Sequence, residues 1–289
     1  PKLKSLTLPD TLTVLGDSAL AGTSIESIKI PESVTVIGDY AFSKTPIETL
    51  KIPKNVTKIG NCAFYESAIK RIELEEGCKL TELGNRLFEG CNNLESFVIP
   101  PSVTTIGADP FMGCKNLKSV TFEKNSNLKR LSGRPIGSEI TEFTIQNTIE
   151  EISLGAFSDL TKLKKIIIED NSELKALPSS CFSNCSSLIT VDFGKNSKIE
   201  TIKSGAFMNC SELTAIDIPK SVTLIENSAF YNCTSISSVV IPAGVVNIGA
   251  KAFYGWTSDQ TIYIEGRTEA PDDWSSDWYE GSTATVVWG

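Results

Sequence analysis

Residues 218–235 read IPKSVTLIENSAFYNCTS, and close variants of these words recur along the whole 289-residue chain. The Ile-Pro step, the Val222/Ile225 pair, the Ala229-Phe230 pair and Cys233 each return at fixed offsets in other copies. The phenylalanine slot falls in turn on Leu20, Phe42, Phe64, Phe88, Phe111, Ile136, Phe157, Phe182, Phe207, Phe230 and Phe253, with spacings of 21 to 25 residues. Self-similarity at such a period marks a repeat architecture, because one short unit cannot bury its own apolar side and must stack on its neighbours. The predicted fold is a β-rich solenoid of about eleven coils, linked by short helical or irregular turns and closed by a Trp-rich C-terminal cap.

Each copy opens with apolar residues at i, i+3 and i+5, as in Ile25, Ile28, Ile30 and Ile236, Val239, Ile241. The last two alternate as strand residues do. A proline follows in many copies (Pro31, Pro53, Pro100, Pro219, Pro242), where a lost backbone donor matters least and the chain turns a corner. A second apolar pair, Val34/Ile37 or Val222/Ile225, is too short for a helix face and predicts a second small strand. Gly38, Gly60, Gly107 and Gly249 are expected to permit a tight change of direction. Four copies lengthen the corner by two residues, and three of these carry Asn125-Ser126, Asn171-Ser172 and Asn196-Ser197, residues suited to absorbing an insertion in a turn. The copy LSGRPIGSEI breaks the rule at Pro135-Ile136 and predicts a local change of curvature.

Composition removes several functions. The chain has no histidine, which excludes Ser-His-Asp and Cys-His nucleophiles and the commonest metal ligand together. With 27 basic and 35 acidic residues, the balance argues against nucleic acid and anionic membrane as partners. No apolar run is long enough to span a bilayer. The acidic pairs Glu75-Glu76, Glu150-Glu151 and Asp272-Asp273 suit solvated turns better than a glycosidase, and the repeat offers no obvious cleft to hold a substrate between carboxyls. Cys181 and Cys185 have no second pair to complete a zinc site. The expectation is a non-enzyme with no cofactor and no metal.

Of eight cysteines, Cys91, Cys114, Cys185, Cys210 and Cys233 share one place, three residues after the phenylalanine slot, where other copies hold Thr23, Thr45 or Ser67. A shared slot of small residues predicts a tight buried corner and free thiols rather than a disulfide framework. Cys62, Cys78 and Cys181 lie outside it, with Cys78 the most exposed.

The combination LxxIxIPxxVxxIGxxAFxxCxxL resembles the BspA-type leucine-rich repeats of bacterial surface proteins, and the resemblance covers residues 1–264. It departs from the ordinary leucine-rich repeat, whose strand is followed by Asn or Cys and then a helix. The ending DDWSSDWYEGSTATVVWG also looks like the tails that close such arrays. The resemblance implies a secreted or surface-displayed module, in some members bound to host matrix proteins such as fibronectin and fibrinogen and involved in aggregation with other bacteria. The chain opens directly on a strand at Leu3, Leu6 and Leu8, with neither signal peptide nor N-terminal cap, which predicts a leader or further repeats ahead of it.

Two regions are expected: a solenoid over 1–264 and a capping segment over 265–289. All four tryptophans, Trp256, Trp274, Trp278 and Trp288, fall near the end, where large rings would cover a last strand at Ile262 and Ile264 that lacks a successor; an aromatic platform for sugars or a partner protein is the alternative. Solenoids bind through extended surfaces of equivalent positions. Here the candidate ligand-binding face is the outward strand row Lys29, Lys51, Glu73, Val98, Thr121, Thr144, Ile167, Asp192, Asp217, Val240 and Tyr263, which starts basic and turns acidic. Val98, Ile167 and Val240 read as isolated exposed apolar residues on it, and a row of small hydroxyls, including Ser27, Thr49, Ser96, Thr190 and Ser238, runs beside it. The expected function is a monomeric binding module for an extracellular protein or glycan, without nucleic acid and without membrane insertion. A structural spacer displaying another domain is the alternative.

Overall fold

The computed structural model describes residues 3–289 and forms two compact units, Pro1–Ile140 and Thr141–Gly289, each a stack of parallel coils. They hold about 12 turns in all. In the first unit the face strands are Thr49–Ile52, Arg71–Leu74, Ser96–Ile99 and Ser119–Phe122. In the second they are Glu142–Ile145, Lys165–Ile168, Thr190–Asp192, Ala215–Ile216, Ser238–Ile241, Thr261–Ile264 and Thr285–Trp288. The second member of the second apolar pair, with the residue before it, forms the expected small strand, while the first member closes the corner. Val14–Leu15, Val36–Ile37, Lys58–Ile59, Glu82–Leu83 and Thr105–Ile106 make one five-stranded parallel sheet on the back of the first unit. The corners between the two strands are β-turns in which Val34, Val56, Val222 and Val245 donate to the carbonyls of Pro31, Pro53, Pro219 and Pro242 at 2.9–3.1 Å. In the lengthened corners Asn125, Asn171 and Asn196 take positive φ, and the next serine hydroxyl accepts the N–H two residues on.

Among the described residues no helix occurs, so of the helical or irregular turns expected the irregular kind is found, and the stretch around the phenylalanine slot is a non-helical bend. Its cause is visible in the hydrogen bonds. Around Phe42, Tyr40 and Lys44 both have φ of 55°, and the N–H groups of Tyr40, Phe42 and Lys44 all donate to the next coil, to Asn61, Ala63 and Tyr65, at 2.8–3.0 Å. Alternate amides are spent between coils and cannot close a helical ladder. The same left-handed pair, two residues before and two after the slot, recurs at Gly205 and Asn209 around Phe207 and at Ser228 and Asn232 around Phe230.

The core is the slot itself. Phe42, Phe64, Phe88 and Phe111 stack with centroids 5.2–5.6 Å apart in the first unit. Phe157, Phe182, Phe207, Phe230 and Phe253 do so at 5.3–5.6 Å in the second. Each ring is fully buried and contributes about 1.5–3 kcal/mol by burial alone. Ile136 fills the slot in the irregular copy and is buried as well.

Two expectations are corrected by the packing and one is extended. Gly38, Gly60, Gly107 and Gly249 do not serve as positive-φ turn residues; a Cβ on any of them would sit 2.4–2.7 Å from the backbone of the preceding coil, so glycine is required there by coil-to-coil approach. The slot three residues after phenylalanine is more than a small corner. The Sγ–H groups of Cys91, Cys114, Cys185, Cys210 and Cys233 donate to the phenylalanine carbonyl of the preceding coil at 2.8–3.1 Å, and Trp256 Nε1 does the same to Phe230 at 2.9 Å. All eight cysteines are free. Finally, Ile262 and Ile264 do have a successor, because Thr285–Trp288 pairs with Thr261–Ile264 in parallel register. Asp277 and Gly281 also accept backbone bonds from Lys251 and Gly255, so this stretch continues the coil pattern. Trp278 meets the edge of Phe253 at 6.0 Å and Trp274 meets Trp278 at 5.2 Å, which buries both and covers the end of the phenylalanine stack.

Candidate functional site

A strand alternates its side chains, so the residue between two buried ones must point outward. In the first unit Leu50 and Ile52 are buried and Lys51 between them is exposed, as is Lys29 between Ile28 and Ile30. Lys51 stands opposite Glu73, and Val98 opposite Thr121. Val98 and Thr121 are exposed, while Glu73 is half-buried. The basic start of the row is partly neutralised by the lengthened corner beside it. Lys51 Nζ pairs with a carboxylate oxygen of Glu75, whose other oxygen accepts the Lys54 N–H at 3.1 Å. The pairing raises the Lys51 ammonium above its ordinary pKa and, together with the Lys54 N–H, holds the Glu75 carboxyl below its own. Arg71 lies 3.5 Å from Glu73. Together these side chains line an open groove of about 1020 Å³ between the strand row and the corner 74–80.

The second unit carries the rest of the row. Thr144, Ile167 and Asp192 are in register on three successive strands. Ile167 is half-buried between its neighbours and is not the isolated exposed residue expected. Asp192 and Asp217 follow, both exposed. Val240 is not isolated either: it pairs with Tyr263 and, through the unexpected last strand, with Val287, and the three are 45%, 43% and 39% exposed. A second groove, of about 980 Å³, lies between this row and the corner 193–199, with Asp192, Gly194, Asp217 and Pro219 among its walls. Each groove arises where a lengthened corner stands beside a short one, a feature the corner lengths display in the sequence. The sequence pattern alone did not say that those corners wall the strand row.

The remaining chemistry is sparse. Cys185 and Cys181 are fully buried, one bonded to Phe157 and both raised in pKa by desolvation, so neither is poised as a nucleophile or thiolate ligand. Among the described residues no three side chains of His, Cys, Asp or Glu gather as a metal site. None of the described segments is a helix long and apolar enough to cross a membrane.

Comparison with known proteins agrees with the coil geometry. The fold is similar to that of a leucine-rich repeat protein from Bacteroides ovatus, at 24% identity, a TM-score of 0.75, and coverage of 99% of this chain and 78% of that one. It is also similar to the pneumococcal vaccine antigen PcpA, at 17% identity, a TM-score of 0.57, and coverage of 98% of this chain and 78% of that one. No curated protein matches the chain. The BspA type leucine rich repeat region matches in 6 copies over residues 1–118 and 136–260, leaving out 119–135, which runs into the irregular copy as far as Pro135. By that match, and by the slot pattern that each coil repeats, the chain belongs to the BspA-type leucine-rich repeat family.

Proposed function

We infer that the chain is the repeat module of a bacterial cell-surface or secreted protein and acts by non-covalent binding through its outward strand row, without catalysis and without a cofactor. The observation that carries this reading is a contrast between slots. The phenylalanine slot holds only Phe, Leu or Ile and is buried in every coil, whereas the outward row ranges over Lys, Glu, Asp, Thr, Val, Ile and Tyr at exposed or half-buried positions. Variation at equivalent exposed positions on a rigid frame is how solenoids encode a partner. Family membership, and a fold shared with a vaccine antigen, support the placement outside the cell. Host matrix proteins, mucins and other cells are the ligand classes in view.

The test is biolayer interferometry of the purified chain against fibronectin, fibrinogen and a mucin-glycan panel. Saturable binding that is lost in Ile167→Glu plus Val240→Glu supports the reading and locates the face. Absence of binding to every member of the panel favours a structural spacer instead.

A further inference from the structure

The row in the second unit changes character along its length, and the change specifies a partner. Asp192 and Asp217 stand on successive coils, one residue beyond the Thr190–Ala215 and Val191–Ile216 pairing. Neighbouring strands lie about 4.8 Å apart, and like charges placed side by side at that spacing repel. Among the described residues neither carboxylate is paired with a lysine or arginine; Asp192 accepts the Gly194 N–H at 2.9 Å and stays exposed. Lys51 in the first unit, by contrast, is already held by Glu75. Further along the same row come Val240, Tyr263 and Val287, with Ser238, Thr261 and Thr285 in register beside them. The inward neighbours Val239 and Ile262 are buried, so this exposed apolar stripe sits on a well-packed strand layer.

Two uncompensated carboxylates followed by a tyrosine between two valines match a polypeptide in which cationic side chains precede apolar or aromatic ones. We propose that the second unit captures an extended basic–apolar segment of a partner protein laid across its strands. An arginine or lysine of the partner enters between Asp192 and Asp217, and an apolar anchor settles on Tyr263 between Val240 and Val287. Arginine suits the first position because its planar fork donates to two carboxylates at once. A buried aromatic or aliphatic anchor supplies the affinity. A neutral glycan would leave the aspartate pair uncompensated, and a second copy of this chain, with a net charge of −8, would bring mostly like charge.

The inference rests on the strand row being the binding face and adds the chemistry of what binds. Panning a random-peptide phage library against the whole chain should enrich peptides that join Arg or Lys to Trp, Tyr or Leu. A fluorescein-labelled synthetic copy of the most enriched peptide should lose about tenfold or more in affinity for Asp192→Lys plus Asp217→Lys, and again for Tyr263→Ala. It should weaken as salt rises from about 50 to about 500 mM, and it should be unchanged by Lys29→Glu plus Lys51→Glu. Asp192, Asp217, Tyr263, Lys29 and Lys51 are all exposed, and circular dichroism checks that each variant keeps its fold. No enrichment, an acidic or uncharged consensus, or binding indifferent to Asp192, Asp217 and Tyr263 overturns the proposal. So does glycan binding or self-association that depends on Tyr263 in place of peptide capture. Should the peptides fail while matrix-protein or glycan binding is still lost in Ile167→Glu plus Val240→Glu, the face stands and only the partner's chemistry is wrong.

Discussion

Two glycines separate backbone freedom from steric necessity. Gly22 has φ of 63° and nothing within 4 Å of where a Cβ would stand, so Gly22→Ala meets only the left-handed penalty. That penalty is about 1–2 kcal/mol, offset by about 0.4–1 kcal/mol from a stiffer unfolded chain, for a net loss near 1 kcal/mol. Gly84 has no positive φ, but an added Cβ would lie 2.3 Å from the Gly60 carbonyl carbon and oxygen in the preceding coil. Gly84→Ala should therefore cost about 3 kcal/mol or more, measured by urea unfolding, because two backbones must part. Equal losses in the two variants would contradict this division. The donor slot behaves similarly. Cys210→Ala removes one of two donors to the buried Phe182 carbonyl, which also accepts the Cys185 N–H at 3.1 Å, and should cost about 0.5–1.5 kcal/mol, while Cys210→Ser keeps a donor and should cost less. That the slot is small and buried was legible from Thr23, Thr45, Ser67 and five cysteines. That the cysteines donate across to the preceding coil was not, because Thr23 and Thr45 donate to Leu20 and Phe42 of their own coil and no within-copy pattern shows the other acceptor.

Among elements, the phenylalanine stack holds the coils and the last segment holds the stack. Phe207 touches Phe182 and Phe230 at 5.4 Å on both sides, so Phe207→Ala removes one buried ring and two ring contacts. The expected loss is about 3–5 kcal/mol by chemical unfolding. Trp278→Ala opens the edge of Phe253 and should expose coil 251–264 to faster amide exchange than coils farther from the end. Uniform exchange in that variant would show that the tail does not close the stack. The face strands, back strands and proline corners were readable from the i, i+3, i+5 rhythm because packing enforces that rhythm in every coil. The strand Thr285–Trp288 was not, since TVVW lacks the repeat's own words and its tryptophans drew the reading toward a lid.

At the scale of the whole molecule, eight cysteines without a disulfide give the protein a pH signature. Burial pushes the Cys91 thiol from 9.0 up to about 11 and the Cys185 thiol up to about 12, and it raises Cys114, Cys181, Cys210 and Cys233 as well. A folded-state value above the unfolded one means that the stability is fully present below the unfolded pKa and is lost as pH rises through the folded pKa. Unfolding free energy should thus be level to about pH 8 and then fall toward pH 11, by about 1.4 kcal/mol per pH unit for each buried thiol that ionises only when unfolded. Replacing Cys185, Cys210 and Cys233 together with serine should flatten that slope. At pH 8 the half-buried Cys78 should be the first thiol to react with a thiol reagent in the folded protein, slowed by the burial that raises its pKa. The outward row could be listed from the repeat, because alternation fixes which side chains leave the core. Its grooves and the Val240–Tyr263–Val287 stripe could not, because they arise from neighbouring corner lengths and from a strand outside the pattern.

The central claim is that the outward strand row, and no other surface, carries the partner. It is tested by one paired interferometry experiment on whichever matrix protein or mucin glycan binds the chain, comparing Ile167→Glu plus Val240→Glu on the face with Lys58→Glu plus Thr201→Glu on the back strands. The account predicts that affinity falls by about tenfold or more in the face variant and stays within about twofold in the back variant. Binding kept by the face variant and lost by the back variant, or no saturable binding by the unaltered chain, would contradict it.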